Sequence, residues 1–265
     1  MRRRVTLAGA VEADLVAHVS LLYEPIGEVH REGGTVWFAS GGTSPHENGV
    51  LRAAIDRRDL GGSIDRLLRP FRDRGLPMMW WVFEPPTRRA DTLDGELRRR
   101  GFALASDLPG MALDLGKLRA PPPLPGATVE RVVDNGGLRR WADIIGRAFG
   151  SDDYPGGRSV RGFAAWGFGN EAPFRHFLCR LGDEWVGAST LSLGGGVAGL
   201  ANIATVPHAR RLGVGTTVAA AALREGASIG LRTAVLSAEE AGRPLYERLG
   251  FREVSRHRTY VWQPG

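Results

Sequence analysis

A glycine-bearing turn at residues 210–216, with the sequence Arg-Arg-Leu-Gly-Val-Gly-Thr, constrains the fold of this chain more than any other segment. The apolar run 197–206 before it is typical of a strand, and residues 216–227 after it are typical of a helix. Gly213 and Gly215 lack a Cβ atom, so the backbone can take positive φ and a ligand can approach it closely. Backbone N–H groups at a helix N-terminus bind phosphate well. The segment therefore predicts a strand–turn–helix unit that either binds an anion or only caps the helix.

The charge of the chain disfavours a nucleic-acid partner. The net charge is +6 over 265 residues, which is enough chain for one large or two small domains. Both halves carry mixed charges, and outside the turn the basic runs are short, at residues 2–4 and 98–100. A surplus of this size fits a small anionic ligand equally well.

Cysteine content and hydropathy indicate a cytoplasmic protein without a membrane partner. Cys179 is the only cysteine, so no intrachain disulfide can form, which fits a reducing compartment. No apolar stretch is long enough to span a bilayer. An apolar stretch after the N-terminal arginines is cut short by Glu12 and Asp14, which argues against a signal peptide.

A proline-rich segment at residues 120–126 divides the chain into two halves that share a pattern. Consecutive prolines cannot continue a helix, so this segment is predicted to be an interdomain linker. Late in each half, a strand-like run and a helix-like segment are followed by a Gly-Phe pair and a last strand. These segments are 78–83, 91–100, 101–102 and 111–115 in the first half, and 233–236, 241–249, 250–251 and 259–262 in the second. The repetition predicts a duplicated fold.

Strands alternate with helices through the second half, which predicts a mixed α/β sheet with at least one right-handed crossover. The predicted strands before the turn are 128–133, 174–181, 184–192 and 197–206, and the predicted helices are 138–149 and 160–168.

A second signature, residues 245–251 with the sequence Leu-Tyr-Glu-Arg-Leu-Gly-Phe, follows the turn and covers the end of the last predicted helix and its Gly-Phe pair. Together the two signatures resemble the GNAT superfamily of acyl-CoA-dependent N-acetyltransferases, over about the last 140 residues. The residues that meet the family pattern are Arg210, Gly213 and Gly215 in the turn, and Tyr246, Gly250 and Phe251 downstream. The fold implied is α/β (an α+β mixed sheet): two acetyltransferase-like domains, each with a central, mixed, mostly antiparallel sheet flanked by helices.

The resemblance implies acetyl-CoA as co-substrate and no metal. Its pyrophosphate would bind at the turn, on Arg210, Arg211, Leu212, Gly213, Val214, Gly215 and Thr216. Backbone N–H groups of the preceding strand, at Ile203, Ala204 and Thr205, would polarise the thioester carbonyl. The alternative is that these three residues simply form a paired core strand.

The resemblance also implies that Tyr246 is the general acid that protonates the departing thiolate, since a phenol is protonated at neutral pH. The alternative is an aromatic ring that packs one side of its helix. Glu239 stands where many members have a cofactor-binding asparagine, and Thr205 where a valine is usual. The strand 197–206 carries no carboxylate to act as base, although Asn202 could position a water.

The acceptor is expected to bind in loop-rich regions. Asp152, Asp153, Tyr154 and Glu171 lie in one such region, where amine substrates favour an acidic lining, although each can equally be a solvated loop residue. The polar loop 44–49, with His46 and Glu47, could face the same cleft or simply form a turn.

The first half is predicted to be degenerate. Residues 57–62 resemble a decayed cofactor turn, in which Asp56 and Asp59 would repel a pyrophosphate, and no tyrosine precedes Gly101 and Phe102. The predicted organisation is therefore a degenerate acetyltransferase-like domain at 1–119, a linker at 120–126 and a catalytic domain at 127–265. The first domain would pack against the second and shape the acceptor cleft.

The predicted function is acetyl-CoA-dependent transfer of an acetyl group to a primary amine, by direct attack of the amine on the thioester. The acceptor is expected to be a small molecule, and the protein a monomer or homodimer. The alternative is a non-catalytic acyl-CoA-binding or regulatory protein.

Overall fold

A large mixed sheet organises the chain. The computed structural model describes residues 6–56, 58–84, 91–150 and 155–265, and within them eleven strands form one sheet with helices on its faces. The elements up to residue 119 are α1 Leu7–Tyr23, β1 Glu28–Glu32, β2 Thr35–Ala39, β3 Asn48–Arg52, α2 Leu60–Arg72, β4 Met78–Glu84, α3 Asp91–Arg99 and β5 Ala103–Asp114. Those that follow are β6 Ala127–Arg131, α4 Asn135–Phe149, α5 Gly157–Ala165, β7 Phe174–Leu181, β8 Glu184–Ser192, β9 Ala198–Thr205, α6 Val214–Ser228, β10 Thr233–Ser237, α7 Arg243–Leu249 and β11 Arg252–Trp262.

The mixed α/β fold predicted from the sequence is confirmed, and most predicted elements of the second half are present. The strands predicted at 174–181 and 184–192 have those bounds. Each is buried along most of its length, and a tight turn at Gly182, with φ 60°, joins the pair. Asp134 caps the N-terminus of α4, since its side chain accepts a hydrogen bond from the Gly137 N–H, and Gly150 caps the C-terminus in the left-handed region.

The last strands of the two halves are exchanged. The strand order is β1-β2-β3-β4-β11-β5-β10-β9-β8-β7-β6. Strand β5 pairs antiparallel with β10 of the second half, and β11 lies between β4 and β5 of the first half. We call this pairing of β5 and β11 the strand exchange. The sequence pattern predicts both strands but not their partners, because the pairing depends on contacts between segments far apart in the chain.

The division into two domains at residues 120–126 stays a prediction. No helix or strand forms there, as predicted for a linker. The segment nevertheless packs on the second half, since Arg224 Nη2 on α6 donates a hydrogen bond to the Pro121 carbonyl oxygen (3.3 Å). The sheet itself runs through both halves without a break.

Helix α1 is the element of the first half that reaches furthest over the second. It packs on β9, β10 and α5 as well as on β5. Trp166 Nε1 donates a hydrogen bond to the Leu21 carbonyl oxygen (2.7 Å), and Gly162 of α5 lies against the backbone of Leu22. Because other elements pack against several faces of α1, the helix carries apolar residues on more than one face. No helix in the described part of the chain is both long and apolar enough to cross a bilayer.

Candidate active site

Strands β9 and β10 separate after a short stretch of parallel pairing. Ala198 and Gly199 pair with Ala234 and Val235, and the two strands have no further paired residues in the described register. Asn202 lies beyond this point with φ 52°, where the β8–β9 register shifts by one residue. This bulge bends β9 away from its parallel neighbour. We call the resulting wedge the β9–β10 opening.

Backbone amides of β9 face this opening. The Val206 N–H donates to the Val186 carbonyl oxygen of β8 (3.0 Å). Amides alternate sides along a strand, so the Ala204 N–H also faces β8, whereas those of Ile203 and Thr205 face the opening. Of the three amides predicted to polarise the thioester carbonyl, two are thus directed to the place where a substrate can enter. The alternative of a fully paired core strand applies to Ala204 alone.

The turn after β9 presents the N-terminus of α6 to the same opening. Gly213 is the N-cap residue, with φ 97°, and no side chain caps the helix. The amides of Val214, Gly215 and Thr216 have no partner within the helix, because the first intrahelical bond is donated by Thr217. Three N–H groups and the positive end of the helix dipole therefore converge on one exposed spot, which suits a phosphate group.

The arginines of the turn do not both face this spot. Arg210 donates from Nη2 to the Ala148 carbonyl oxygen at the end of α4 (2.6 Å) and from Nε to the Thr205 carbonyl oxygen (3.3 Å). It therefore braces the turn against α4 and β9. Arg211 adopts positive φ (65°) and is exposed. Leu212 is 52% exposed and does not border the cavity described below.

In the first half, a side chain of the corresponding turn caps the helix that follows it. Asp59 accepts a hydrogen bond from the Gly62 N–H (3.0 Å) at the start of α2, and its carboxylate also pairs with Arg66 (3.2 Å). A carboxylate occupies the position where α6 offers free amides. This arrangement agrees with a decayed anion site; Arg57 of the predicted turn lies outside the described residues.

Tyr246 lies at the other side of the opening, on α7. Its ring is 7% exposed and packs edge-on against Phe251, with centroids 6.1 Å apart. Burial, and secondarily the negative charge of Glu239, raise the pKa of the Tyr246 phenol further above its ordinary value of 10. The ring is packed and the hydroxyl stays protonated at neutral pH, which is compatible with both interpretations of Tyr246; its role as general acid stays a prediction.

One cavity of about 1870 Å³ joins the α6 N-terminus, the β9–β10 opening and α1. Every predicted cofactor residue except Leu212 borders it, as does Tyr246. Its far end is formed by one face of α1 and by the loop before β3. The residues there are Val11, Asp14, Leu15, His18, Val19, Leu22 and Tyr23 on α1, and Ser44, His46 and Glu47 in the loop. The prediction that loop 44–49 faces the cleft agrees with this placement.

Of the candidates for acceptor binding in the loop-rich region before β7, Glu171 alone lies among the described residues. Glu171 is exposed and does not border the cavity. Asp152, Asp153 and Tyr154 lie outside the described residues. Asn202 borders the cavity, and its Nδ2 atom lies 3.4 Å from Thr190 Oγ1.

Two titratable groups on the α1 face were missed by the sequence analysis. Asp14 and His18 are four residues apart and therefore share a helix face. Burial lowers the pKa of His18 to about 4, so its ring is neutral at pH 7. A carboxyl group and an imidazole four residues apart in a mostly apolar helix were the available signal. Across the described ranges, no three His, Cys, Asp or Glu side chains lie close enough to hold a metal ion.

Part of the sequence matches a known protein family. The sequence profile described as the acetyltransferase (GNAT) family matches residues 138–251. A search of curated proteins found no sequence match.

Solved structures share the fold over nearly the whole chain. A GCN5-related N-acetyltransferase from Kribbella flavida superposes with a TM-score of 0.73 at 19% identity, covering 96% of each chain. A conserved protein of unknown function from Staphylococcus epidermidis gives 0.69 at 11% identity, covering 94% of this chain and 100% of the other. A tandem GNAT protein from the clavulanic acid biosynthesis pathway gives 0.61 at 14% identity, covering 96% and 88%.

Proposed function

We propose that this chain, whose residues 138–251 match the acetyltransferase (GNAT) family, transfers an acetyl group from acetyl-CoA to a primary amine of a small-molecule acceptor. One observation carries the proposal. The uncapped N-terminus of α6, the amides of Ile203 and Thr205, and Tyr246 all border a single cavity. These are the groups needed to hold an anionic carrier, polarise a carbonyl and protonate a leaving group.

In the proposed mechanism, acetyl-CoA supplies an activated acyl group as a thioester. The amides of Val214, Gly215 and Thr216 hold the pyrophosphate. The Ile203 or Thr205 N–H, which faces the β9–β10 opening, donates a hydrogen bond to the thioester carbonyl oxygen. The amine nitrogen forms a bond to the carbonyl carbon and releases its proton to water, since β9 carries no carboxylate. Tyr246 gives its proton to the sulfur as the carbon–sulfur bond breaks.

The first prediction concerns stoichiometry. Titration calorimetry is expected to show one acetyl-CoA bound per chain, because Asp59 fills the N-terminus of α2 whereas that of α6 is open. Release of CoA thiol across a panel of amines is expected to depend on the acceptor. Binding without acceptor-dependent release would favour the non-catalytic alternative, and absence of binding would overturn the proposed function.

The second prediction concerns Tyr246. Tyr246→Phe is expected to lower kcat about 100-fold while the Kd for acetyl-CoA stays unchanged, because only the proton donor is lost. Since the pKa of Tyr246 lies above 10, the wild-type rate is expected to show no loss from its ionisation up to pH 10.

Tyr260→Phe is the matched control. Tyr260 is also buried, but its hydroxyl donates to Asp94 Oδ1 (2.8 Å) in the first half and does not border the cavity. Its removal is expected to leave kcat within about twofold of wild type. Full activity of Tyr246→Phe would remove the proposed acid role.

A further inference from the structure

Asp14 of α1 is a buried carboxyl group at the closed end of the β9–β10 opening. A Cβ atom on Gly199 would lie 2.1 Å from its Oδ1 atom and 2.3 Å from Oδ2, so the carboxyl group covers the Cα atom of Gly199. Gly199 is the last residue of β9 that pairs with β10. The glycine thus makes room for a carboxyl group at the point where the two strands part.

This carboxyl group lacks a partner that would compensate for its burial. Asp14 is 9% exposed, borders the cavity, and its Oδ1 atom has no hydrogen-bond partner among the described residues. Burial raises its pKa to about 8, which the nearby Ser192 hydroxyl offsets only in part. At neutral pH the carboxyl group is therefore mostly protonated, because an unpaired buried carboxylate is costly. A protonated nitrogen brought by a ligand would remove that cost and stabilise the carboxylate form.

The arginines that border the cavity lie away from its α1 end. Among the described lining residues, Arg119, Arg210, Arg211 and Arg248 lie just before the linker, in the turn and on α7, with the acid Glu239 beside them. At the α1 end the lining residues include two carboxyl groups, Asp14 and Glu47, and no arginine or lysine, and apolar side chains such as Leu15 and Trp81 surround them. One end therefore suits the phosphates of the cofactor, and the other suits a cation with an apolar body.

Distance excludes Asp14 from direct contact with the reacting amine. Gly199 and Ile203 are four residues apart, which is up to roughly 13 Å along a strand and somewhat less across the bulge at Asn202. A carboxylate binds an ammonium group only within about 3 Å. A thioester held at the amides of Ile203 and Thr205 is therefore out of reach of Asp14, which must meet a more distant part of the acceptor.

We propose that Asp14 binds a second, protonated nitrogen of the acceptor, so that the substrates are amines with two basic nitrogens joined by an apolar spacer. The inference rests on the proposed function and makes Asp14 a specificity-determining residue. The first half of the chain would then select the acceptor on which the second half acts.

The test compares diamines with monoamines of equal length, using saturating acetyl-CoA and CoA-thiol release. The wild-type protein is expected to show at least tenfold higher kcat/KM for octane-1,8-diamine than for octylamine, after correction for its two amino groups. Ethane-1,2-diamine, which is too short to span the cavity, is expected to have no such advantage over ethylamine.

Asp14→Asn is expected to abolish the preference for octane-1,8-diamine. The Kd for acetyl-CoA is expected to stay unchanged within error, and the Tm at neutral pH to stay unchanged or rise slightly. Glu12→Gln is the matched control on the same helix. Glu12 pairs with Arg52 (2.5 Å) and does not border the cavity, so this variant is expected to keep the preference.

Three results would overturn the inference while leaving the cofactor site intact: equal kcat/KM for the two long amines in the wild type, an equal loss for both in Asp14→Asn, or bound acetyl-CoA with no turnover of any amine in the series. Absence of acetyl-CoA binding would instead overturn the proposed function and the inference with it.

Discussion

Removal of residues 252–265 is expected to abolish cooperative folding of the whole chain and not only of its second half. Strand β11 fills the space between β4 and β5, pairing with β4 from Arg256 to Trp262. Tyr260 and Trp262 of β11 belong to the core of the first half, with Trp80 and Phe102. Without β11, two strand edges and this core are exposed to water, and the loss exceeds the marginal stability of an ordinary domain.

A truncation that removes only residues 263–265 is the control, because these residues are exposed and lie outside β11. It is expected to unfold like the full chain. Thermal unfolding followed by circular dichroism and by tryptophan fluorescence would report on both halves. A chain ending at Phe251 that unfolds cooperatively within a few degrees of the full chain would contradict the role given to the strand exchange.

Thr216→Asp is expected to weaken acetyl-CoA binding about 100-fold while the fold is kept. Thr216 lies in the first turn of α6 and borders the cavity. Two unit charges about 4 Å apart interact by about 4 kcal/mol at an effective dielectric constant of 20, and solvent screening reduces this to about 2.7 kcal/mol, or 100-fold. The same carboxylate favours the helix, since it lies at the positive end of the dipole.

Thr216→Asn has nearly the same shape without the charge, and its affinity is expected to stay within about fivefold of wild type. Calorimetric titration with acetyl-CoA and thermal unfolding, measured on all three proteins, separate binding from stability. Equal affinities of the Asp and Asn variants would show that the pyrophosphate does not bind at the α6 N-terminus.

The cofactor end of the site could be predicted because it is built from contiguous residues. A strand, a glycine turn and a helix give the α6 N-terminus its free amides, and only local geometry is needed to infer them. Gly213 does adopt positive φ (97°), as its place in the turn predicts. The bracing contacts of Arg210 to Ala148 could not be inferred, because they depend on where α4 ends in space.

The acceptor end could not be predicted because it forms between distant segments. The sequence places Asp14 in an apolar stretch near the N-terminus, where it argues only against a signal peptide. Its significance depends on Gly199, 185 residues later, and on the packing of α1 across β9 and β10. A single sequence contains no information on such a contact beyond an acid in an apolar helix.

The strand exchange also sets the order in which the chain can fold as it is made. Strand β4 is complete at Glu84, but β11 begins at Arg252. About 170 residues separate them, which takes a ribosome roughly 10 to 30 s at about 5–20 residues per second. Throughout that time the emerging chain carries an unpaired edge on the apolar strand Met78–Glu84. The first half is synthesised first, yet it is among the last parts of the sheet to close.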